Sequence, residues 1–157
     1  MLTLIDGNSL LFRAYYGVHA RLTRRDGKPT GAVYGFLNMI LPVLGAAKPD
    51  DCFVCVFDAS RQTFRQEIYH AYKQNRDETP ADLITQSELI RIGLHAMGVS
   101  VLCIPGVEAD DVIATIATQN CNNHQHRLQL YFAWRRQLYN QCNARQRRYG
   151  QCAVARN

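Results

Sequence analysis

Acidic side chains follow short apolar runs at three places in the sequence. Asp6 follows residues 2–5, Asp58 follows residues 52–57, and the segment Glu108-Ala-Asp-Asp111 comes shortly after a third run. Carboxylates held close together repel one another, and hard divalent cations, which prefer oxygen ligands, offset that repulsion. The pattern therefore indicates a Mg²⁺ or Mn²⁺ site that could polarise a phosphate and supply hydroxide for attack on phosphorus.

The order of apolar runs and helical patterns predicts an α/β fold. The three runs have the length of strands, and the last of them covers residues 99–104. Helices are predicted over residues 9–16, 31–44, 64–72, 83–97 and 112–118, the second of them capped by Thr30. Strands separated by helices imply a mostly parallel sheet with helices on both faces. Ligands of such sheets lie at the carboxyl ends of the strands, so one rim is expected to collect five acids, Asp6, Asp58, Glu108, Asp110 and Asp111.

These acids also have structural interpretations. Asp6, which precedes a glycine, suits a turn, and Asp110 or Asp111 suits the N-cap of the helix that follows. Capping needs one acid, whereas the third segment has three acids in four residues. No Lys or Arg lies in the acidic segments apart from Arg61, a little beyond Asp58, so we expect metal ions rather than side chains to neutralise them.

Cationic and aromatic residues are candidate contacts for phosphates and bases. The cations are Arg13, Arg65, Lys73 and Arg76, and the aromatic residues are Tyr15, Tyr16, Phe64 and Tyr72. Aromatic side chains stack on the bases of single strands, but the same rings could form core and the cations a solvated face. Residues 73–80 have no apolar periodicity and are predicted to be a mobile connection.

Composition places the chain among single-domain globular proteins. It has 157 residues, 47% of them hydrophobic, and no apolar run approaches the ~20 residues of a membrane helix. Because the start lacks the features of a signal peptide, we expect a cytoplasmic protein without membrane contact. Cys52 and Cys55 have CxxC spacing, but a strand points them to opposite faces, so buried thiols are favoured over a metal or redox site.

The net charge of +5 belongs to one end of the chain. Residues 1–119 carry 3 Lys and 8 Arg against 13 acids, a balance of −2, whereas residues 120–157 carry 7 Arg and no acid, a balance of +7. The basic character therefore says nothing about what the folded part binds. We expect residues 120–157 to form an Arg-rich, poorly ordered tail.

Several sequence blocks resemble one known family. They are Leu4-Ile-Asp-Gly-Asn-Ser9, Phe12-Arg-Ala-Tyr15, Pro29-Thr-Gly-Ala-Val-Tyr-Gly35, Val56-Phe-Asp-Ala59, Thr63-Phe-Arg65, Tyr72-Lys73 with Arg76, and Gly106-Val-Glu-Ala-Asp-Asp-Val112. In this order they resemble the N-terminal 5′→3′ exonuclease domain of bacterial DNA polymerase I, a flap endonuclease family with a PIN-like fold.

The resemblance implies a nuclease of DNA replication and repair that cleaves 5′ flaps and RNA primers with two Mg²⁺ or Mn²⁺ ions. Its DNA substrates would have a 5′ flap, a nick or a single-stranded end. The five rim acids resemble the first metal-binding group, and Arg13 resembles a phosphate-contacting arginine. Lys73 and Arg76 resemble catalytic residues at the base of the arch that threads the 5′ strand, and Phe64, Arg65 and Tyr72 would contact DNA beside them.

The resemblance stops near residue 119. The family continues with a further strand, a Gly-Asp-x-Asp type motif and a helix–hairpin–helix. We find none of these in the sequence, and no acid follows Asp111. We therefore expect a truncated or frameshifted copy whose fold is incomplete on its C-terminal side. A catalytically inactive nucleic-acid-binding remnant and a PIN-like ribonuclease are the alternative functions.

Overall fold

The structure of the protein, a computed structural model, describes residues 1–17, 21–70, 78–123 and 128–131. Strands and helices alternate through these residues. The strands are β1 (Leu2–Asp6), β2 (Cys52–Thr63), β3 (Ser100–Gly106) and β4 (Leu128–Tyr131). The helices are α1 (Gly7–Tyr15), α2 (Gly31–Gly45), α3 (Phe64–Ile68), α4 (Ala81–Ala96) and α5 (Ala109–Asn123).

The described strands form one parallel sheet in the order β3-β2-β1-β4. Leu4 of β1 lies opposite Val54 on one side and Leu130 on the other, and Val54 lies opposite Ser100 of β3. Because all the strands run in one direction, their carboxyl ends meet at one edge. The predicted α/β fold with a parallel sheet is confirmed.

Helices cover both faces of the sheet, as predicted. On one face, α1, α2 and α4 pack around the fully buried rings of Phe36 and Phe57, whose centroids are 6.3 Å apart. The backbones of α1 and α2 approach closely, since a Cβ at Gly35 would lie 3.2 Å from that of Ala14. On the other face, α5 packs through residues such as Ile113 against Leu4 and Val56 of the sheet.

Two polar contacts tie the N-terminal half of α4 to its neighbours. The buried amide of Gln86 accepts a hydrogen bond from the backbone N–H of Ala32, at 2.9 Å, which holds the start of α2. The hydroxyl of Tyr15 donates to the carboxylate of Asp82 at 3.0 Å, which holds the end of α1. The first turn of α2, the first two turns of α4 and the last turn of α1 therefore lie together.

Strand β4 corrects the sequence analysis, which found no strand after the last acidic segment. It lies in the segment expected to be a poorly ordered tail, and α5 also continues past residue 119 to Asn123. Leu128 and Leu130 are buried, with 0% and 6% exposure, against the same face of the sheet as α5. Pairing with β1 and burial of alternate leucines explain why so short a segment forms a strand.

Other element boundaries also differ from the predicted ones. Strand β2 continues six residues past residue 57, as far as Thr63, and α3 ends at Ile68 rather than at residue 72. Thr30 precedes α2 but makes no side-chain capping bond; its hydroxyl donates to the carbonyl of Leu22 at 3.4 Å. The connection predicted over residues 73–80 lies mostly outside the described residues.

The prediction of buried thiols holds for only some of the described cysteines. Cys55 is buried, and burial raises the pKa of its thiol, whereas Cys52 and Cys103 are exposed free cysteines. In the described part of the chain, no helix has both the length and the apolar character that crossing a membrane requires.

Candidate functional site

Asp6 is the most buried aspartate at the carboxyl edge of the sheet. It is the last residue of β1 and the N-cap of α1, and its Oδ1 accepts a hydrogen bond from the backbone N–H of Ser9 at 2.9 Å. The pKa of Asp6 is raised to about 6, chiefly by burial and also by the charges of Asp110 and Asp58, against the opposing hydrogen bond from Ser9. Three carboxylates from separate elements are therefore close enough to interact.

Asp58 joins β2 to the start of α5. Its Oδ1 accepts a hydrogen bond from the backbone N–H of Ala109, at 2.7 Å, although the two residues are 51 positions apart. The first N–H groups of a helix have no partner within the helix and carry partial positive charge, which a carboxylate stabilises. Asp58 thus caps α5 from a neighbouring strand and fixes Glu108 and Asp110 beside itself.

Arg65 of α3 brings a cation into the acidic cluster. Its guanidinium forms two hydrogen bonds with the carboxylate of Asp111, one from Nη2 to Oδ1 and one from Nε to Oδ2 at 3.3 Å. The same Nε lies 3.9 Å from Oε2 of Glu108, whose side chain is 8% exposed. The expectation that no nearby Lys or Arg would neutralise the acids is therefore wrong, because Arg65 reaches Asp111 from 46 positions away and also forms an ion pair with Glu108.

The acidic cluster has oxygen donors that suit a hard cation, but its acids fall into two groups with different neighbours. Asp6, Asp58 and Asp110 are electrostatic neighbours, whereas Arg65 is hydrogen-bonded to Asp111 and forms a longer ion pair with Glu108. Among the described residues, no group of three or more His, Cys, Asp or Glu side chains is arranged so that it could hold a metal ion. The oxygen donors fit Mg²⁺ or Mn²⁺ in type, and coordination requires the side chains to rearrange.

The predicted DNA-contacting residues are only partly described. Arg13 is an exposed residue of α1, and Phe64 is 41% exposed, with the guanidinium of Arg65 lying 5.2 Å from its ring centroid. Tyr72, Lys73 and Arg76 lie outside the described residues.

Of the aromatic residues at the C-terminal end of α1, one is held within the structure and two are exposed. Tyr15 is held by its hydrogen bond to Asp82, whereas Tyr16 is 72% exposed. Phe12, which the sequence analysis did not single out, is 41% exposed and stacks on Tyr16, with ring centroids 6.4 Å apart. Their spacing of four residues, which places side chains on one helix face, could have indicated this exposed pair.

A family model matches most of the chain. Residues 1–132 match the family described as 5'-3' exonuclease, N-terminal resolvase-like domain. The matched range includes the acidic rim and β4, so it extends beyond residue 119, where the sequence analysis ended the resemblance.

DNA polymerases and a 5'-3' exonuclease are similar to the chain over about three quarters of its length. DNA polymerase I of Pseudomonas aeruginosa is 49% identical over 116 residues, 74% of this chain and 12% of that protein. DNA polymerase I of Mycobacterium tuberculosis is 47% identical over 75% of this chain and 13% of that protein. A 5'-3' exonuclease of Buchnera aphidicola is 42% identical over 74% of this chain and 38% of that protein. The chain thus spans only a small part of the polymerases and well under half of the exonuclease.

Solved structures from bacteriophage T5 share the fold. The D15 protein co-crystallised with metal ions superposes with a TM-score of 0.54 at 24% identity. A variant of the D15 flap endonuclease, in a pseudo-enzyme-product complex with DNA and metal ions, gives 0.53 at 22% identity. Each match covers 82% of this chain and 47% of the solved chain.

Proposed function

Because the chain belongs to the family of 5'-3' exonuclease N-terminal domains, we propose that it is the metal-binding part of a nuclease that hydrolyses DNA phosphodiesters. The observation that carries this proposal is the meeting of Asp6, Asp58 and Asp110 at the carboxyl edge of the sheet. The named relatives, DNA polymerase I and a 5'-3' exonuclease, support the same activity.

Asp6, Asp58 and Asp110 would hold the divalent ion, with Glu108 and Asp111 completing the group. A hard cation supplies polarisation of a phosphate and activation of water, and Mg²⁺ suits an all-oxygen shell. The T5 relatives crystallised with metal ions support a divalent cation in the fold family. Two Mg²⁺ or Mn²⁺ ions in the intact domain remain our proposal for this chain.

The protein's own residues prepare this rim for a phosphate. The backbone bonds from Ser9 and Ala109 fix the carboxylates of Asp6 and Asp58 before any ligand binds. Arg65 holds Asp111 and Glu108 in place and lowers the repulsion that five clustered acids would otherwise produce. Part of the cost of assembling the cluster is therefore met within the folded chain.

DNA is the proposed partner, in the form of a 5′ flap, a nick or a single-stranded end. Arg13 and Arg65 are the proposed phosphate contacts among the described residues, and Phe64 is the proposed stacking surface. Lys73 and Arg76 are proposed as catalytic residues and Tyr72 as a DNA contact, on the resemblance alone. Such an enzyme would act in the cytoplasm, in DNA replication and repair.

One observation favours a second function, that of an inactive protein that binds nucleic acid. Asp111 and Glu108 are occupied by Arg65, and no group of three described acids is arranged for a metal ion. If the ion pairs with Arg65 persist on DNA, the chain would bind without cutting. A PIN-like ribonuclease stays a third hypothesis, with no geometric observation in its favour.

A cleavage assay separates these functions. The intact chain is mixed with a labelled 5′-flap DNA or a matched RNA, in Mg²⁺ and then in EDTA. We expect cleavage of DNA that needs the metal and that Asp110→Asn abolishes, while Asp50→Asn, which neutralises an exposed acid before β2, leaves it unchanged. DNA binding without any cleavage would support the inactive protein, and preferential cutting of RNA would support the ribonuclease.

A further inference from the structure

A basic hairpin, which we define as residues 21–30, connects α1 to α2. Its two sides meet at an antiparallel bridge between Thr23 and Pro29. Backbone hydrogen bonds join them on either side of the bridge, from Arg24 N–H to the Lys28 carbonyl and from Thr30 N–H to the Leu22 carbonyl, both at 2.8 Å. These bonds give the hairpin a defined shape.

The tip of the hairpin is a tight turn. Gly27 has φ of +81°, which residues with a side chain rarely adopt, and its N–H donates to the carbonyl of Arg24 at 2.9 Å. The backbone N–H of Lys28 donates to the side chain of Asp26 at 3.3 Å. The turn therefore holds the neighbouring cations at fixed positions along the backbone.

The hairpin concentrates positive charge, whereas the other described residues together are net acidic. It carries four exposed cations and one acid, a net charge of +3: Arg21, Arg24, Arg25, Lys28 and Asp26. All described residues together hold nine Lys and Arg and twelve Asp and Glu, so the rest holds five cations and eleven acids, a net charge of −6. Almost half of the described cations thus lie within ten residues.

These cations form few ion pairs within the described structure. Arg24 approaches Asp26 at 3.6 Å, but their side chains are 61% and 42% exposed, and such a surface pair contributes little to stability. Arg21, Arg25 and Lys28 form no ion pair with another described residue. Ion pairs among the described residues therefore do not account for their number.

The hairpin lies on the same side of the sheet as the acidic rim. Helices α2 and α4 lead into β2 and β3, so they end near the amino ends of these strands and begin toward the carboxyl ends. The contact between Ala32 and Gln86 joins the first turn of α2 to the second turn of α4, and the hairpin directly precedes α2. The hairpin and the acids therefore flank one side of the molecule.

We propose that the basic hairpin binds the phosphate backbone of the DNA that the acidic rim acts on. This inference rests on the proposed nuclease function. The rim acids repel a polyanion, and a separate set of fixed cations on the same side offsets that repulsion and positions the strand. Each phosphate that a cation neutralises releases counterions, which makes the binding depend on salt.

The test measures DNA binding apart from cleavage. Fluorescence anisotropy follows a labelled 5′-flap duplex with the intact chain in EDTA, at salt concentrations from 50 to 200 mM. The triple variant Arg24→Gln, Arg25→Gln, Lys28→Gln removes three cations, so the slope of log affinity against log salt should become less steep by about 2.7. Over this fourfold salt range, the wild type should lose roughly 40-fold more affinity than the variant.

Matched single variants separate the position of the charge from its amount. Lys28→Gln lies in the hairpin and Lys48→Gln lies before β2, at the opposite end of the sheet, and both side chains belong to exposed residues. We expect only Lys28→Gln to weaken binding and reduce the salt slope. Circular dichroism and the melting temperature confirm that each variant is folded.

The proposal is overturned if the triple variant keeps the wild-type slope, if the two lysine variants behave alike, or if the wild type binds no DNA. Tighter binding of polyglutamate than of DNA would identify an acidic protein as the partner and also overturn it. A failure of the proposed nuclease function would give a different result. Hairpin-dependent binding in EDTA would persist, while Mg²⁺ would produce no cleavage.

Discussion

At the scale of single residues, the rim is a set of acids held together by backbone and side-chain donors. Asp6 is held by α1, Asp58 by the start of α5, and Asp111 by Arg65. The three contacts differ in how firmly they hold the acid, because backbone donors stay in place while the side chain of Arg65 can move. The electrostatic cost that remains falls on Asp6, whose pKa is raised to about 6.

Replacing Asp6 by Asn should stabilise the protein without metal near neutral pH. Between pH 3.8 and about 6, folded Asp6 keeps a proton that the unfolded chain has lost, so the free energy of unfolding falls as pH rises through this range. The penalty at pH 7 is at most about 3 kcal/mol. Asn keeps the N-cap role and removes the charge.

The measurement for Asp6→Asn is the urea unfolding free energy at pH 5 and pH 7, in EDTA. The wild type should lose stability between these values relative to the variant, while Asp50→Asn, at an exposed acid, should follow the wild type. A variant that is less stable than the wild type at pH 7 would show that the Asp6 carboxylate is not destabilising.

Replacing Arg65 by Gln should destabilise the protein, because Asp111 and the nearly buried Glu108 lose their cation. We expect a loss of roughly 1–3 kcal/mol, less than for a fully buried pair, since Arg65 and Asp111 are 26% and 29% exposed. Added Mg²⁺ should raise the melting temperature of this variant more than that of the wild type.

Arg24→Gln, which breaks the exposed pair with Asp26, is the matched control and should change stability by less than about 0.5 kcal/mol. Equal melting temperatures for the two arginine variants in EDTA would contradict the role of Arg65 in neutralising the rim.

At the scale of elements, the sequence predicted what depends on local pattern. The alternation of apolar runs and helices placed β1, β2 and β3 and directed their acids to one edge. The contact between Arg65 and Asp111 was not predictable, because it joins residues 46 positions apart and depends on where the short helix α3 lies. Strand β4 was missed because four residues carry too little periodicity to distinguish them from a loop.

Strand β4 should contribute measurably to stability if it completes the sheet. Leu128→Ala removes a fully buried side chain and is expected to cost about 2–5 kcal/mol. Gln129→Ala, the neighbouring partly exposed position on the opposite face, should cost much less. The free energy of unfolding of both variants is measured by chemical denaturation, and equal values would contradict the packing of Leu128 against the sheet.

At the scale of the whole molecule, an acidic cluster and a basic hairpin lie on the same side. The sheet delivers a cluster of acids to its carboxyl edge, and the basic hairpin flanks that edge with a net charge of +3. A metal ion and a phosphate backbone are the two ligands that such a division suits. The chain matches 12% of a DNA polymerase I, so these surfaces form part of a larger protein in its relatives.

The central claim is that the rim acids bind a divalent cation, and Mn²⁺ titration of the intact chain by isothermal calorimetry tests it most directly. We predict saturable binding by the wild type that Asp58→Asn and Asp110→Asn each weaken at least tenfold, and that Asp50→Asn leaves unchanged. Wild-type heat no greater than that of Asp110→Asn would contradict the claim.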